Sequence, residues 1–231
     1  MATQRGPKIV RNGLIRCWDA ADYKTIIANR INFLELTGSG DSVRQNNDPG
    51  SGSTWGGYWY FNGVTSVTIM NLPVCGTAYT GARTAEVWMN SQQSNSADTN
   101  FRGFFRFGDT TTSNGFSMAL RGTTELGFNQ GNWVNAGDTT WRTISQSIYN
   151  RWLLFTLSYT PSTLTWYVNG QSIHSQTITL SSGIQANNNI SLAGYGNFTP
   201  ILIGAVRYYN IGLTASQVLQ NFNAQRARFG I

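Results

Sequence analysis

Acid–base or nucleophilic chemistry needs particular residues at particular spacings, and the candidates in this chain are few. Glycoside hydrolysis requires two carboxyl groups flanking the scissile bond. The three glutamates, Glu35, Glu86 and Glu125, stand isolated, and no Glu-x-Asp-x-x-Glu run occurs. Glu86, on a strand pattern, reads as a partnered charge or a solvent-facing residue. His174 is the single histidine, and no Gly-x-Ser-x-Gly elbow accompanies it, so it is expected to be an exposed strand residue. One histidine and two scattered cysteines exclude a zinc site. Calcium ligands would have to come from Asp19 and Asp22, or from Asp41 and Asp48, and no dense acidic loop frames either pair. The expectation is a protein that is not an enzyme and holds no metal or cofactor.

Binding chemistry is better represented. Sugar recognition uses exposed aromatic faces beside amide and carboxylate hydrogen-bonding groups, although most aromatics are core. Trp55 and Tyr58 lie in a Gly-rich run, and Trp133 and Trp141 lie among Asn, Gln and Gly. These four are the candidate carbohydrate contacts. Basic residues recur near both termini: Arg5, Lys8 and Arg11 at one end, Arg226 and Arg228 at the other. Arginine outnumbers lysine fourteen to two within a net charge of +6. Arginine favours ordered bidentate or stacked contacts, so these five residues are candidates for an assembly interface. The charges are too dispersed to form a nucleic-acid stripe. Cys17 and Cys75 are two buried thiols or a single disulfide; the sequence leaves both open.

The elements that must position these groups are strands. The 231 residues include 8 Trp, 10 Tyr and 12 Phe, with only 11% charged residues against about 25% in an ordinary domain. Aromatics suit a pleated, half-buried surface, and Gly and Asn supply turns. Residues 1–12 read as a polar, basic N-terminal arm, and 13–231 as one domain. Met1–Leu14 lacks the apolar segment of a signal peptide, which makes the Asn189 and Asn197 glycosylation triplets chance occurrences. No stretch is long and apolar enough to cross a bilayer. Leu14–Trp18 is a first strand, and the polar residues 37–57 form a long loop. Trp59–Phe61 enters an Asn62-Gly63 hairpin that continues through Val67 and Ile69. Thr84–Met89, Phe101–Phe107 and Gly115–Leu120 follow as strands. Leu153, Phe155, Leu157 and Tyr159 alternate on one face, and Leu164, Trp166 and Val168 alternate on the returning strand before Asn169-Gly170. Thr214 to Gln217 is a capping box with Leu213 as its staple. It opens a short helix over 214–227 that closes one edge or end of the sandwich.

Several of these segments match known landmarks. Arg151-Trp-Leu-Leu-Phe-Thr-Leu-Ser-Tyr followed by Ser162-Thr-Leu-Thr-Trp-Tyr-Val-Asn-Gly-Gln resembles the laminin G-like / concanavalin A-like lectin jelly roll. Gly13-Leu-Ile-Arg-Cys-Trp-Asp-Ala-Ala-Asp, Tyr60-Phe-Asn-Gly-Val and the close from Ile203 to Asn223 resemble it as well. The resemblance implies an all-β, antiparallel two-sheet jelly-roll β-sandwich with one short C-terminal helix. The opening and closing motifs together resemble the lectin-like domains of tailed-phage, cyanophage-like virion proteins. That implies a head, neck or tail decoration or fibre-associated subunit, made in the host cytoplasm. Its partners would be other virion proteins, copies of itself and host-surface glycans, with no nucleic acid and no membrane. A carbohydrate-binding or adhesion module of a cellular surface protein is the alternative. Between Ile26 and Tyr58 the family's Trp-x-Asp-Leu-Ser-Gly-Asn-Gly run is missing, which puts a family-type calcium or sugar site in that loop in doubt.

Overall fold

A computed structural model of the chain describes residues 8–19, 44–46, 58–62, 67–69, 81–97, 100, 102–107, 116–130, 139–177, 190–196 and 200–231. The described strands form two antiparallel sheets. The eight-stranded sheet contains β1 (Leu14–Asp19), β2 (Arg44–Asn46), β3 (Tyr58–Asn62), β5 (Arg83–Ser91), β10 (Trp152–Thr160), β11 (Thr163–Val168), β12 (Gln171–Thr177) and β14 (Pro200–Tyr209). Its order is β12-β11-β10-β5-β14-β3-β2, with β1 also paired to β14. The six-stranded sheet runs β4-β13-β6-β7-β8-β9, from β4 (Val67–Ile69), β13 (Ile190–Gly196), β6 (Arg102–Phe107), β7 (Phe116–Arg121), β8 (Glu125–Gln130) and β9 (Thr139–Thr143).

The alternation read from β10 and β11 is what builds the interior. Leu153, Phe155, Leu157, Leu164, Trp166 and Val168 join Val87, Met89, Phe105, Met118 and Leu126 in the main core between the sheets. Asn169 and Gly170 both take positive φ, 51° and 80°, the geometry of the tight turn that matches strand twist. β14 carries an irregularity between Ile203 and Ala205 in its register with β5. This bulge reverses the alternation. Ile201, Ile203, Val206 and Tyr208 therefore face the core, while Ala205 packs with the cluster beneath the C-terminal segment and Arg207 pairs with Glu86 there.

The helix expected at the C-terminus is present as α1 (Ala215–Gln225), followed by a 3-10 turn over Arg226–Phe229. Thr214 caps it, with the reciprocal Gln217 contact of a capping box, and Leu213 and Val218 share one cluster. Its placement differs from expectation. α1 lies across the outer face of the eight-stranded sheet rather than at an edge. Phe222 and Phe229 stack on Trp88 at 5.9 and 4.1 Å between ring centroids. The sheet's outer face is apolar here and needs a cover, which the apolar stripe of α1 and Phe229 of the 3-10 turn supply together.

Three further expectations are corrected. The segments either side of Asn62-Gly63 do not form a hairpin, because β3 pairs in the eight-stranded sheet and β4 in the six-stranded one; the chain changes layer between Asn62 and Val67. The polar loop 37–57 contains a short edge strand, β2, paired to β3, since backbone pairing at an edge needs no apolar side chains. Residues 8–12 are not a loose arm. Val10 is buried and its N–H donates to Asn221 Oδ1 at 2.7 Å, while Lys8 C=O accepts from Gln220.

Candidate functional site

The chemistry-bearing residues fall into three places. The first is a buried polar cluster beneath α1. Glu86 on β5 accepts from Arg207 Nη1 at 2.9 Å and from Asn221 Nδ2 at 3.0 Å to each carboxylate oxygen. Asn221 also donates to the Tyr209 hydroxyl at 3.0 Å, and Arg207 donates to Gln225. Both charged side chains are 1% exposed. Burial alone would weaken proton binding at Arg207, and the Glu86 carboxylate more than offsets it, so the guanidinium titrates above its ordinary value. Burial, then Glu86, drives the Tyr209 hydroxyl upward as well. Burial also raises the thiol of Cys17, against the nearby Arg207; it is a free cysteine without thiolate reactivity at neutral pH. This cluster joins helix, sheet and N-terminal segment, and no substrate reaches it.

The second place is the outer face of the six-stranded sheet. Gly127 on β8 pairs with Trp141 on β9, and a Cβ at Gly127 would lie 2.6 Å from the Trp141 ring. The indole thus lies flat over the glycine. Arg121 sits over the ring at 4.5 Å from its centroid and binds Glu125 through two bonds, of 2.6 and 3.0 Å. Its hydrogen bond pulls the Glu125 carboxyl below the usual range and raises Arg121. Trp141, predicted as an exposed stacking face, is instead half-buried, because a small residue beneath and a held cation above confine it. Tyr58 is also half-buried, 6.3 Å from Trp152 in the cluster under the 3-10 turn. Trp55 and Trp133 lie outside the described residues.

The third place is the rim where edge strands β9 and β12 meet. Arg142 Nη2 lies 3.2 Å from His174 Nε2, and Gln176 Oε1 lies 3.2 Å from the same nitrogen. Trp166 meets the imidazole edge-on at 5.6 Å. His174 is therefore half-buried and partnered, not the exposed residue expected. Sequence reasoning passed over Arg142 and Gln176, because nothing in their spacing indicates that strands from different sheets converge.

The terminal basic residues are divided. Lys8, Arg11 and Arg226 are exposed and come from segments joined by the Lys8–Gln220 and Val10–Asn221 bonds. Arg228, expected at the interface, is half-buried and paired with Asp19 at 2.6 Å; its position beside Phe229, inside the 3-10 turn, turns it toward β1. That pairing engages Asp19, one of the proposed calcium ligands. Arg5, Asp22, Asp41, Asp48, Glu35 and Cys75 lie outside the described residues. Among the described residues no group of three His, Cys, Asp or Glu side chains could hold a metal.

A family model described as the concanavalin A-like lectin/glucanases superfamily (Laminin_G_3) matches residues 48–219. The chain belongs to this superfamily. No curated protein matches. Among solved structures, the superfamily member is similar to the botulinum neurotoxin serotype G binding domain, with TM-score 0.64 and 16% identity over 80% of this chain and 45% of that one. It is similar to the binding domain of Paraclostridial Mosquitocidal Protein 1, with TM-score 0.63 and 17% identity over 82% and 48%. It is also similar to the botulinum neurotoxin serotype D ligand binding domain in complex with N-acetylneuraminic acid, with TM-score 0.65 and 12% identity over 83% and 48%. The chain spans just under half the length of these domains, and at such identities the likeness is one of fold.

Proposed function

We propose that this chain is a structural subunit of a tailed-phage virion, a head, neck or tail decoration or fibre-associated protein. Its lectin-like domain works by binding and carries out no catalysis. Its first mode is assembly through protein contacts, including contacts with its own copies, and its second is adhesion to host-surface glycans. It is made in the host cytoplasm and carried on the particle, without a cofactor.

The observation that carries this reading is the exposed face formed by residues 8–12 and α1. Lys8 and Arg11 are exposed beside α1, Arg226 is exposed in the 3-10 turn that follows it, Leu219 on α1 is 43% exposed, and α1 contains no acidic residue. A cationic surface with an apolar spot suits an acidic protein neighbour. The described side-chain carboxylates support the non-catalytic part, since Asp19, Glu86 and Glu125 are each held by an arginine. The glycan mode draws on the neighbours, one of which was solved with N-acetylneuraminic acid, while cell entry of another, botulinum neurotoxin type C, is dependent upon interaction with two ganglioside molecules.

Charge reversal at Lys8→Glu, Arg11→Glu and Arg226→Glu tests the assembly mode. The unmodified protein is expected to form a defined oligomer and to co-sediment with purified phage particles. The triple variant, with its melting temperature preserved, is expected to lose both. Assembly indistinguishable from the unmodified protein would rule this face out.

A further inference from the structure

The rim between β9 and β12 brings a guanidinium against a shared imidazole nitrogen. Arg142 uses Nη1 on its neighbouring carbonyl, Trp141 O, at 2.8 Å, and Nη2 on His174 Nε2. A guanidinium offers five N–H donors, and no carboxylate pairs with this one among the described residues. His174 Nε2 faces both Arg142 and Gln176 Oε1 at 3.2 Å. One nitrogen cannot accept from Arg142 and donate to Gln176 at the same time. If it carries a proton for Gln176, an Arg142 N–H loses its acceptor. Arg142 is the charged group facing His174 from β9, and β11 presents Trp166, which carries no charge. All three polar side chains are half-buried, so a ligand can reach them while solvent screening is reduced.

We infer that Arg142, His174 and Gln176 form an anion subsite for the carboxylate of an acidic polysaccharide. This rests on the glycan-adhesion mode proposed above and names the class of sugar. A carboxylate accepts from Arg142 in the geometry guanidinium groups favour, and it supplies the carboxylate partner that Arg142 has not found among the described residues. Protonated His174 becomes a second donor and a second cation, so the bound anion and the bound proton favour each other. Imidazoles charge within pH 5–8, whereas sugar carboxylates stay ionised above about pH 4. A gain of affinity on acidification is the expected sign of that coupling.

The probes are polygalacturonate and the neutral polymer dextran in affinity gel electrophoresis of the full chain at pH 7.5 and 5.5. Retardation by polygalacturonate is expected at both pH values and more strongly at pH 5.5. Arg142→Gln should weaken it by about tenfold or more, in line with the loss of a charged hydrogen bond. Arg142→Lys, which keeps the charge, should weaken it less. His174→Gln should retain the pH 7.5 affinity and lose the gain at pH 5.5. The exposed Arg151→Gln, with the same change in net charge, should bind as the unmodified protein does. Equal weakening by Arg142→Gln and Arg151→Gln would reduce the effect to diffuse charge and overturn the subsite. Retardation by dextran alone would also overturn it while leaving glycan adhesion standing. No retardation by either polymer would remove the adhesion mode and the subsite together.

Discussion

Glu86 and Glu125 show how the same residue type takes opposite roles according to what surrounds it. Glu86 is held by Arg207, Asn221 and Thr156 and is out of reach of solvent. Removing one partner from such a pair costs about 3–5 kcal/mol, because the other charge is left buried and uncompensated. Glu125 forms its pair with Arg121 at 31% side-chain exposure, where an ion pair contributes at most about 1 kcal/mol. Its carboxyl is held below the usual range by the Arg121 hydrogen bond. The stability it adds is therefore present above the ordinary carboxylate range and lost as pH falls through its folded value. Glu125→Gln is expected to melt at most about 4 °C lower at pH 7. Melting curves of the two proteins should converge only once pH has fallen below the lowered folded value of Glu125, where its carboxyl is as neutral as the glutamine amide. A gap that persists in acid would mean that the pair contributes through packing rather than charge.

At the scale of elements, β14 and α1 depend on each other through one glycine. Gly204 lies at the bulge that sends Arg207 outward, and a Cβ there would collide with the Phe229 ring and approach Trp152 at 3.3 Å. Phe229 is the residue that stacks on Trp88, so the bulge and the 3-10 turn fit only around a residue without a side chain. Gly204→Ala is expected to destabilise the fold by about 1–3 kcal/mol through overpacking. The change should be seen in near-ultraviolet circular dichroism as a loss of aromatic signal. An unchanged spectrum and melting temperature would show that Phe229 can move aside without loss. The turns and strands around the Asn169-Gly170 hairpin were legible in the sequence, because each residue's preference was satisfied by its immediate neighbours. The bulge was not, since Gly204 reads as an ordinary strand glycine until Phe229, many residues later, folds back over it.

Across the whole molecule, the two termini meet. Val10 and Lys8 bond to α1, so the first described residues seal the last helix to the sheet. A chain beginning at Arg11 should lose about 1–3 kcal/mol, because the buried Asn221 Oδ1 is left without its donor. Calorimetry should place its melting temperature several degrees lower, and proteolysis should cut first near α1. Melting at the original temperature would show that water replaces the Val10 N–H at no cost.

The sequence by itself determined the strand-rich composition, the two-faced pattern of β10 and β11, the capping of α1, and through its landmarks the jelly-roll family. All of these follow from preferences expressed over a few neighbouring residues. Only the tertiary structure decided that α1 covers a sheet face, that β3 and β4 belong to different layers, and that Trp141 lies beneath Arg121. The meeting of Arg142 with His174 belongs to the same class. Each depends on which strands become neighbours, and burial of apolar surface across the entire chain settles that pairing, which no local spacing encodes.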